Sequence, residues 1–184
     1  MGVGNQMTCN MSKVFVALGS NIGDRAAVLR QALEEIERIE QVFDLNCSNF
    51  YRTSPVSPIP QDDYLNAVCS FTTALTPKQL HCCLQKIETK LGKKPKPKEA
   101  PRILDLDLLF FGTEPYRDAQ LEIPHPRWME RKFVLIPLAD LAEELVVPSP
   151  KGNRLINIKK MIELLPNNES ISKVDEFFEA GDLI

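Results

Sequence analysis

Histidine and tryptophan are scarce in this 184-residue chain, with two copies of the first and one of the second. The two histidines, His81 and His125, stand far apart in the sequence. The five cysteines (Cys9, Cys47, Cys69, Cys82 and Cys83) are an odd set without a Cys-x-x-Cys spacing. Neither a zinc site nor a disulfide framework fits that pattern. There is no G-x-x-x-x-G-K-[ST], and no G-x-G-x-x-G follows a strand pattern, which removes the P-loop and Rossmann readings. No apolar run approaches the ~20 residues of a membrane span. The opening dozen, MGVGNQMTCNMS, lack the basic start and apolar run of a signal peptide, and Gln6 does not suit a myristoylation signal. Positive charge is not in excess either: the formal net charge is -3, whereas proteins that grip a phosphate backbone show a basic footprint. These absences lead us to expect a reduced, soluble, cytoplasmic protein with no membrane or nucleic-acid partner and a disordered segment over residues 1–12.

What is present is a globular balance, 43% hydrophobic and 26% charged. A chain of this size buries roughly 70% of its extended surface. It needs no metal for stability, so a metal here would serve chemistry. Charge is uneven: from residue 166 onward five acids face Lys173 alone, a balance of -4 that leaves +1 on residues 1–165. We expect a main domain over 13–165 and an acidic extension over 166–184. The strongest basic cluster is Lys93, Lys94, Lys96 and Lys98, in a stiff proline-bearing loop.

Val14, Val16 and Leu18 mark a first strand ending at Gly19-Ser20-Asn21, and a 3.6-residue apolar period from Asp24 marks a helix. Alternation from Phe43 to Tyr51 predicts a second strand. The segment SPVSPIPQDD over 54–63 forms a loop, and a third strand follows from about Tyr64 to Ala74. Thr76-Pro77 reads as an N-cap with proline at the first helical position, opening a helix closed by Gly92. RILDLDLLFFG predicts a fourth strand, Arg127 to Leu145 a helical stretch, and Leu155 to Leu165 one more helix. Strands and helices mixed in this order give a sheet with helices packed on it.

Asp105 and Asp107, two apart on a strand, project from one face while Leu104, Leu106, Leu108 and Phe110 project from the other. Adjacent carboxylates with only Arg102 as a close cation repel, and a hard divalent cation relieves them; Mg²⁺ binds through one or two carboxylates plus substrate phosphates. An exposed strand face bearing two acids by chance is the plain alternative. Tyr64 and Asn66 share a strand face in the same way and suit a flat heterocycle with hydrogen-bonding edges, or simply begin a strand. His125, between two prolines and near Arg127 and Arg131, suits phosphate oxygens or an ordinary turn. His81, Gln85 and Glu88 share a helical stripe: solvated, or in reach of a nucleotide.

Five segments in order, LGSNIGD (18–24), FYRTSPV (50–56), DYLNAV (63–68), KEAPRILDLDLLFFG (98–112) and IPHPR through ER-x-FVL-x-PL (123–138), resemble the 6-hydroxymethyl-7,8-dihydropterin pyrophosphokinases of folate biosynthesis. The resemblance runs from about Val14 to Leu145, and a basic residue, Ala-Pro-Arg, two residues and Asp-Leu-Asp is its most specific part. It implies a ferredoxin-like α+β fold, a largely antiparallel sheet with helices packed on it. It also implies transfer of the pyrophosphoryl group of ATP to the hydroxymethyl oxygen of the pterin, with release of AMP. Two Mg²⁺ ions would sit on Asp105 and Asp107, with Arg102 and Lys93 completing the catalytic set. Thr53, Ser54, Val56, Tyr64, Asn66 and Phe133 would hold the pterin; Gln85, Glu88, Lys98, Arg102, His125 and Arg131 would hold ATP. Gly19, Ser20 and Asn21 match a loop beside the site, and 93–101 a lid closing over both substrates. The resemblance is compatible with a monomer, associated or not with other folate enzymes. The chain departs from the pattern in that lid, where Lys98 and Glu99 stand in place of arginine and an aromatic residue. Lysine still neutralises phosphate but lacks the bidentate fork of arginine.

Two other functions compete. A polymerase-β-type nucleotidyltransferase also joins Gly-Ser to Asp-x-Asp, but close in sequence, and it releases pyrophosphate. A binding module that keeps the sheet without turnover is favoured only by the altered lid.

Overall fold

The computed structural model describes residues 11–55, 60–94, 100–149, 152–166 and 170–174. The expected disorder of the N-terminal segment, Val56, Lys98 and most of the lysine-rich loop lie outside them.

Strand β1 (Ser12–Ser20) leads into α1 (Arg25–Glu37), where the side chain of Asp24 accepts a hydrogen bond from the Ala27 N–H at 3.0 Å and Leu29, Ala32, Leu33 and Ile36 are buried. The single strand expected over Phe43 to Tyr51 is in fact two, β2 (Val42–Cys47) and β3 (Tyr51–Thr53), both paired with β4 (Tyr64–Thr73). The break falls at Ser48, whose hydroxyl accepts from the Val68 N–H at 3.0 Å while its own N–H donates to the Val68 carbonyl at 2.9 Å. Helix α2 (Pro77–Lys90) has the capping box expected at Thr76, with Pro77 in its first turn, and Gly92 follows it at φ +100°. The Asp-x-Asp segment forms β5 (Asp105–Phe111), beginning three residues later than the pattern indicates.

Short β6 (Tyr116–Arg117) and β7 (Glu122–Ile123) make a small hairpin. The helical stretch expected from Arg127 to Leu145 is a 3₁₀ turn at Trp128–Glu130 and then α3 (Lys132–Leu141), which stops where Ala142 turns extended. Beyond it β8 (Glu144–Val147) pairs with β9 (Arg154–Asn157), and α4 (Ile158–Leu164) is capped by Asn157. Four-residue strands are too short for a period of two to outweigh the helical pattern around them. Finally β10 (Ile171–Lys173), from the acidic extension, joins the main sheet.

That sheet is antiparallel throughout, in the order β10-β3-β4-β1-β5 with β2 also on β4. With α1 and α2 as crossovers this is the expected ferredoxin-like α+β arrangement. One face packs Val14, Val16, Leu18, Leu106 and Leu108 against α1 and α2. The other packs Phe15, Val68, Leu109 and Phe110 against α3 and α4. Each fully buried large side chain contributes about 1.5–3 kcal/mol. Phe110 is not on the leucine face, as simple alternation would have it. A register shift pairs Val16 with Leu108 and Phe15 with Phe110, leaving Leu109 as the extra residue, so Phe110 meets the Trp128 ring edge-on at 4.9 Å.

Cys47 and Cys69 lie opposite each other across β2 and β4. Burial pushes the Cys47 thiol up to about 12 and holds Cys69 well above its ordinary value. Cys82 is exposed on α2. Iodoacetamide at pH 8 is therefore expected to alkylate Cys82 in the native protein and to spare Cys47 and Cys69 until denaturant is added. Mass spectrometry showing Cys47 modified as fast as Cys82 in native buffer would contradict this packing.

Candidate active site

The strand register alone brings three of the singled-out residues into one row. Gly19, near the end of the interior strand β1, lies opposite Asn66 on β4 and Asp105 on β5, and Ala17 lies between Val68 and Asp107 in the next row. Directly paired residues project from the same face, so Asn66, Asp105 and Asp107 stand on the α3 side of the sheet. Asn66 and Asp105 are two strand spacings apart, about 10 Å. A Cβ on Gly19 would sit 3.0 Å from Asn66 Oδ1, so glycine keeps the floor between them open.

The carboxylates are not the nearly unaccompanied pair that the sequence suggests. Asp105 Oδ1 accepts from Lys93 Nζ at 2.7 Å and from Arg102 Nη1 at 3.3 Å. Asp107 Oδ2 accepts from Arg131 Nη1 at 3.3 Å, with His125 Nε2 at 3.9 Å. The fold brings lysine from beyond the end of α2 and arginine from the start of α3, which no local spacing reveals, to join Arg102, the one cation the sequence places close by. Among the described residues, Asp105 Oδ2 and Asp107 Oδ1 have no hydrogen-bond partner, and no group of three or more His, Cys, Asp or Glu side chains is suited to a metal. The protein thus offers two partly exposed carboxylates and leaves the remaining positions of a hard cation to other oxygens, the donor set that suits Mg²⁺ with phosphates.

Glu88 is 5% exposed and accepts from Lys93 Nζ at 2.5 Å and from the Leu106 N–H at 2.7 Å. Burial raises its pKa, against the pull of the Lys93 hydrogen bond. Burial also opposes the charge on Lys93, yet its bonds to Asp105 and Glu88 keep its pKa above the ordinary lysine value. His125 is lowered, by burial first, with Arg131 and Arg127 adding to the effect and Asp107 opposing it. Gln85, on the same stripe as Glu88, is exposed.

At the other end of the row, Asn66 Nδ2 donates to Thr53 Oγ1 at 2.7 Å, both side chains buried. Thr53 lies opposite Tyr64, whose hydroxyl donates to Gln61 Oε1 at 3.2 Å. Burial and the Asp105 charge raise the Tyr64 pKa. Phe133 is half-buried on α3 with the Arg131 guanidinium 5.5 Å from its ring centre. Ser54 follows β3 and bonds to Ser170.

Asn21 links the two ends: its amide donates to Gln61 Oε1 at 2.9 Å, and its Oδ1 accepts from the Arg102 N–H at 2.7 Å. Gln61 was missed from the sequence because one amide in a proline-rich loop carries no pattern; only its shared bonding to Asn21 and Tyr64 distinguishes it.

A family model described as 7,8-dihydro-6-hydroxymethylpterin-pyrophosphokinase matches residues 15–143. A 2-amino-4-hydroxy-6-hydroxymethyldihydropteridine pyrophosphokinase of Haemophilus influenzae is 37% identical over 139 residues, covering 76% of this chain and 87% of its own length. The Bacillus subtilis protein of the same name is 40% identical over 131 residues, 71% of this chain and 78% of that one. Among solved structures, a Plasmodium falciparum HPPK-DHPS matches with a TM-score of 0.64 at 14% identity over 86% of this chain. This chain spans 45% of that protein, and a likeness at that identity speaks for the fold alone.

Proposed function

The chain belongs to the 7,8-dihydro-6-hydroxymethylpterin-pyrophosphokinase family, and on that premise we propose how its residues carry the reaction. It transfers the pyrophosphoryl group of ATP to the hydroxymethyl group of 6-hydroxymethyl-7,8-dihydropterin, releasing AMP, in folate biosynthesis.

The observation that carries the proposal is the row Asn66, Gly19, Asp105, with Asp107 beside it. Asp105 and Asp107 would hold Mg²⁺, and Lys93, Arg102, Arg131 and His125, which surround the same carboxylates, would face the triphosphate. When bound, the metal supplies charge neutralisation and alignment of the phosphates. No covalent intermediate with the protein is needed: holding the hydroxyl in line with the β-phosphorus and stabilising the departing AMP is what this chemistry demands. Arg102 and Arg131 offer forked donors that suit phosphate oxygens, and His125, its pKa lowered, donates one neutral N–H. Thr53 and Asn66 present hydrogen-bonding groups to the heterocycle edge, with Tyr64 and Phe133 supplying its ring faces and Ser54 beside them. Gln85 extends the ATP side. Glu88, spent on Lys93 and the Leu106 N–H, acts on ATP through Lys93.

Protein, ATP, Mg²⁺ and the pterin are to be mixed and the nucleotides separated. AMP that requires both pterin and metal is the expected result; pyrophosphate in place of AMP would point to a nucleotidyl transfer, and pterin binding without AMP to a module without turnover. Gly19→Ala should cost about tenfold to a hundredfold in kcat/KM, because its methyl displaces Asn66. The loss should appear mainly in the pterin KM. A loss confined to ATP would show that this row does not serve the heterocycle.

A further inference from the structure

Strand β3 has three residues, yet it fixes where Thr53 and Ser54 stand relative to Tyr64 and Asn66. A strand so short is marginal by itself. A slip of one residue would turn Thr53 to the opposite face and break its bond to Asn66. Its register is held from outside by β10. The Ser54 N–H donates to the Ser170 carbonyl at 3.1 Å, and the Ser170 N–H donates to Ser54 Oγ at 3.3 Å. At the other end the Val174 N–H donates to the Phe50 carbonyl at 2.8 Å, and Thr53, Arg52 and Tyr51 face Ile171, Ser172 and Lys173. Residues 170–174 therefore bracket β3 from Phe50 to Ser54. They lie beyond the residues 15–143 that the family model matches.

We propose that residues 170–174 are a positioning strap for the pterin side of the site: by pairing with β3 they hold Thr53 and Ser54 in the register that receives the heterocycle. The proposal rests on the assignment of Thr53, Ser54 and Asn66 to the pterin. Because β10 and β5 are opposite edges of the sheet, the strap acts on one substrate and not the other. The two carboxylates and the basic groups around them touch no part of it.

The test compares the full chain with a version ending at residue 166 and with full-length Ser172→Pro. Proline there removes the backbone donor that faces Arg52 in the ladder. Binding of the pterin, in the presence of a non-hydrolysable ATP analogue, and binding of the analogue alone are measured by fluorescence and calorimetry, beside the melting temperature. The expected result is a pterin Kd raised tenfold or more in both variants, with the analogue Kd within twofold of the parent. Unchanged pterin binding in folded Ser172→Pro would overturn the proposal. So would parallel weakening of both ligands, since that marks a general loss of stability. If the truncated chain does not fold, the full-length proline variant decides. A parent chain that forms no AMP would instead fault the assigned function, so the two failures are told apart.

Discussion

Alanine at Asp107 is expected to lower the AMP-forming rate by about a thousandfold or more, and alanine at Asp105 by a similar factor. Either change removes one of two carboxylates proposed to hold the metal, and a metal acting on phosphoryl oxygens supplies several kcal/mol, about 1.4 for each factor of ten. The two variants should nevertheless differ before substrate is added. Losing Asp107 frees Arg131 and His125, whereas losing Asp105 leaves Lys93 still joined to Glu88 but without its second partner. Steady-state rates at saturating ATP, with circular dichroism to confirm folding, decide the matter. A rate within tenfold of the parent for both variants would remove the carboxylate pair from the mechanism.

The second large effect is on stability. Glu88→Ala is expected to destabilise the fold by about 2–3 kcal/mol, leaving the buried Leu106 N–H unpaired and Lys93 with one partner fewer. The cost falls below that of a fully buried ion pair because the Lys93 side chain is 27% exposed and keeps Asp105. For a domain of this size the melting temperature should drop by roughly 5–10 °C. Glu88→Gln retains an acceptor for the Leu106 N–H and should lose about half as much. Equal melting temperatures for the alanine variant and the parent would show that this carboxylate holds nothing in place.

The capping box at Thr76, the stripe of α2 and the alternation of β1 could be read from the sequence because each is a local pattern with one physical solution. Asp105 and Asp107 were legible for the same reason, both leaving one face of one strand. Arg102, three residues from Asp105, was legible too, but the spacing did not reveal Lys93 and Arg131, which reach the pair only once α2, β5 and α3 are packed. The misplacement of Phe110 has a similar origin: a bulge at Leu109 depends on β1, and no periodicity within β5 contains it. Nor could β8 and β9 be foreseen, because the stability of such short strands comes from their hairpin partner and the layer beneath. The acidic stretch hid β10, whose three residues become a strand only by pairing with β3.

The outward side of β5 bears on solubility as well as on catalysis. A sheet edge with free amide and carbonyl groups is a template for another chain. On β5, one of the two edges, single groups take up part of that row: Glu88 takes the Leu106 N–H, and the His125 N–H donates to the Leu109 carbonyl at 3.0 Å. Two residues beside the proposed phosphate-binding groups thus also deny a second molecule its place along this part of the sheet. Selection for a chain that stays dispersed at high concentration would preserve Glu88, which acts through its side chain, even if turnover were no longer required, whereas the backbone N–H at position 125 is supplied by any residue but proline.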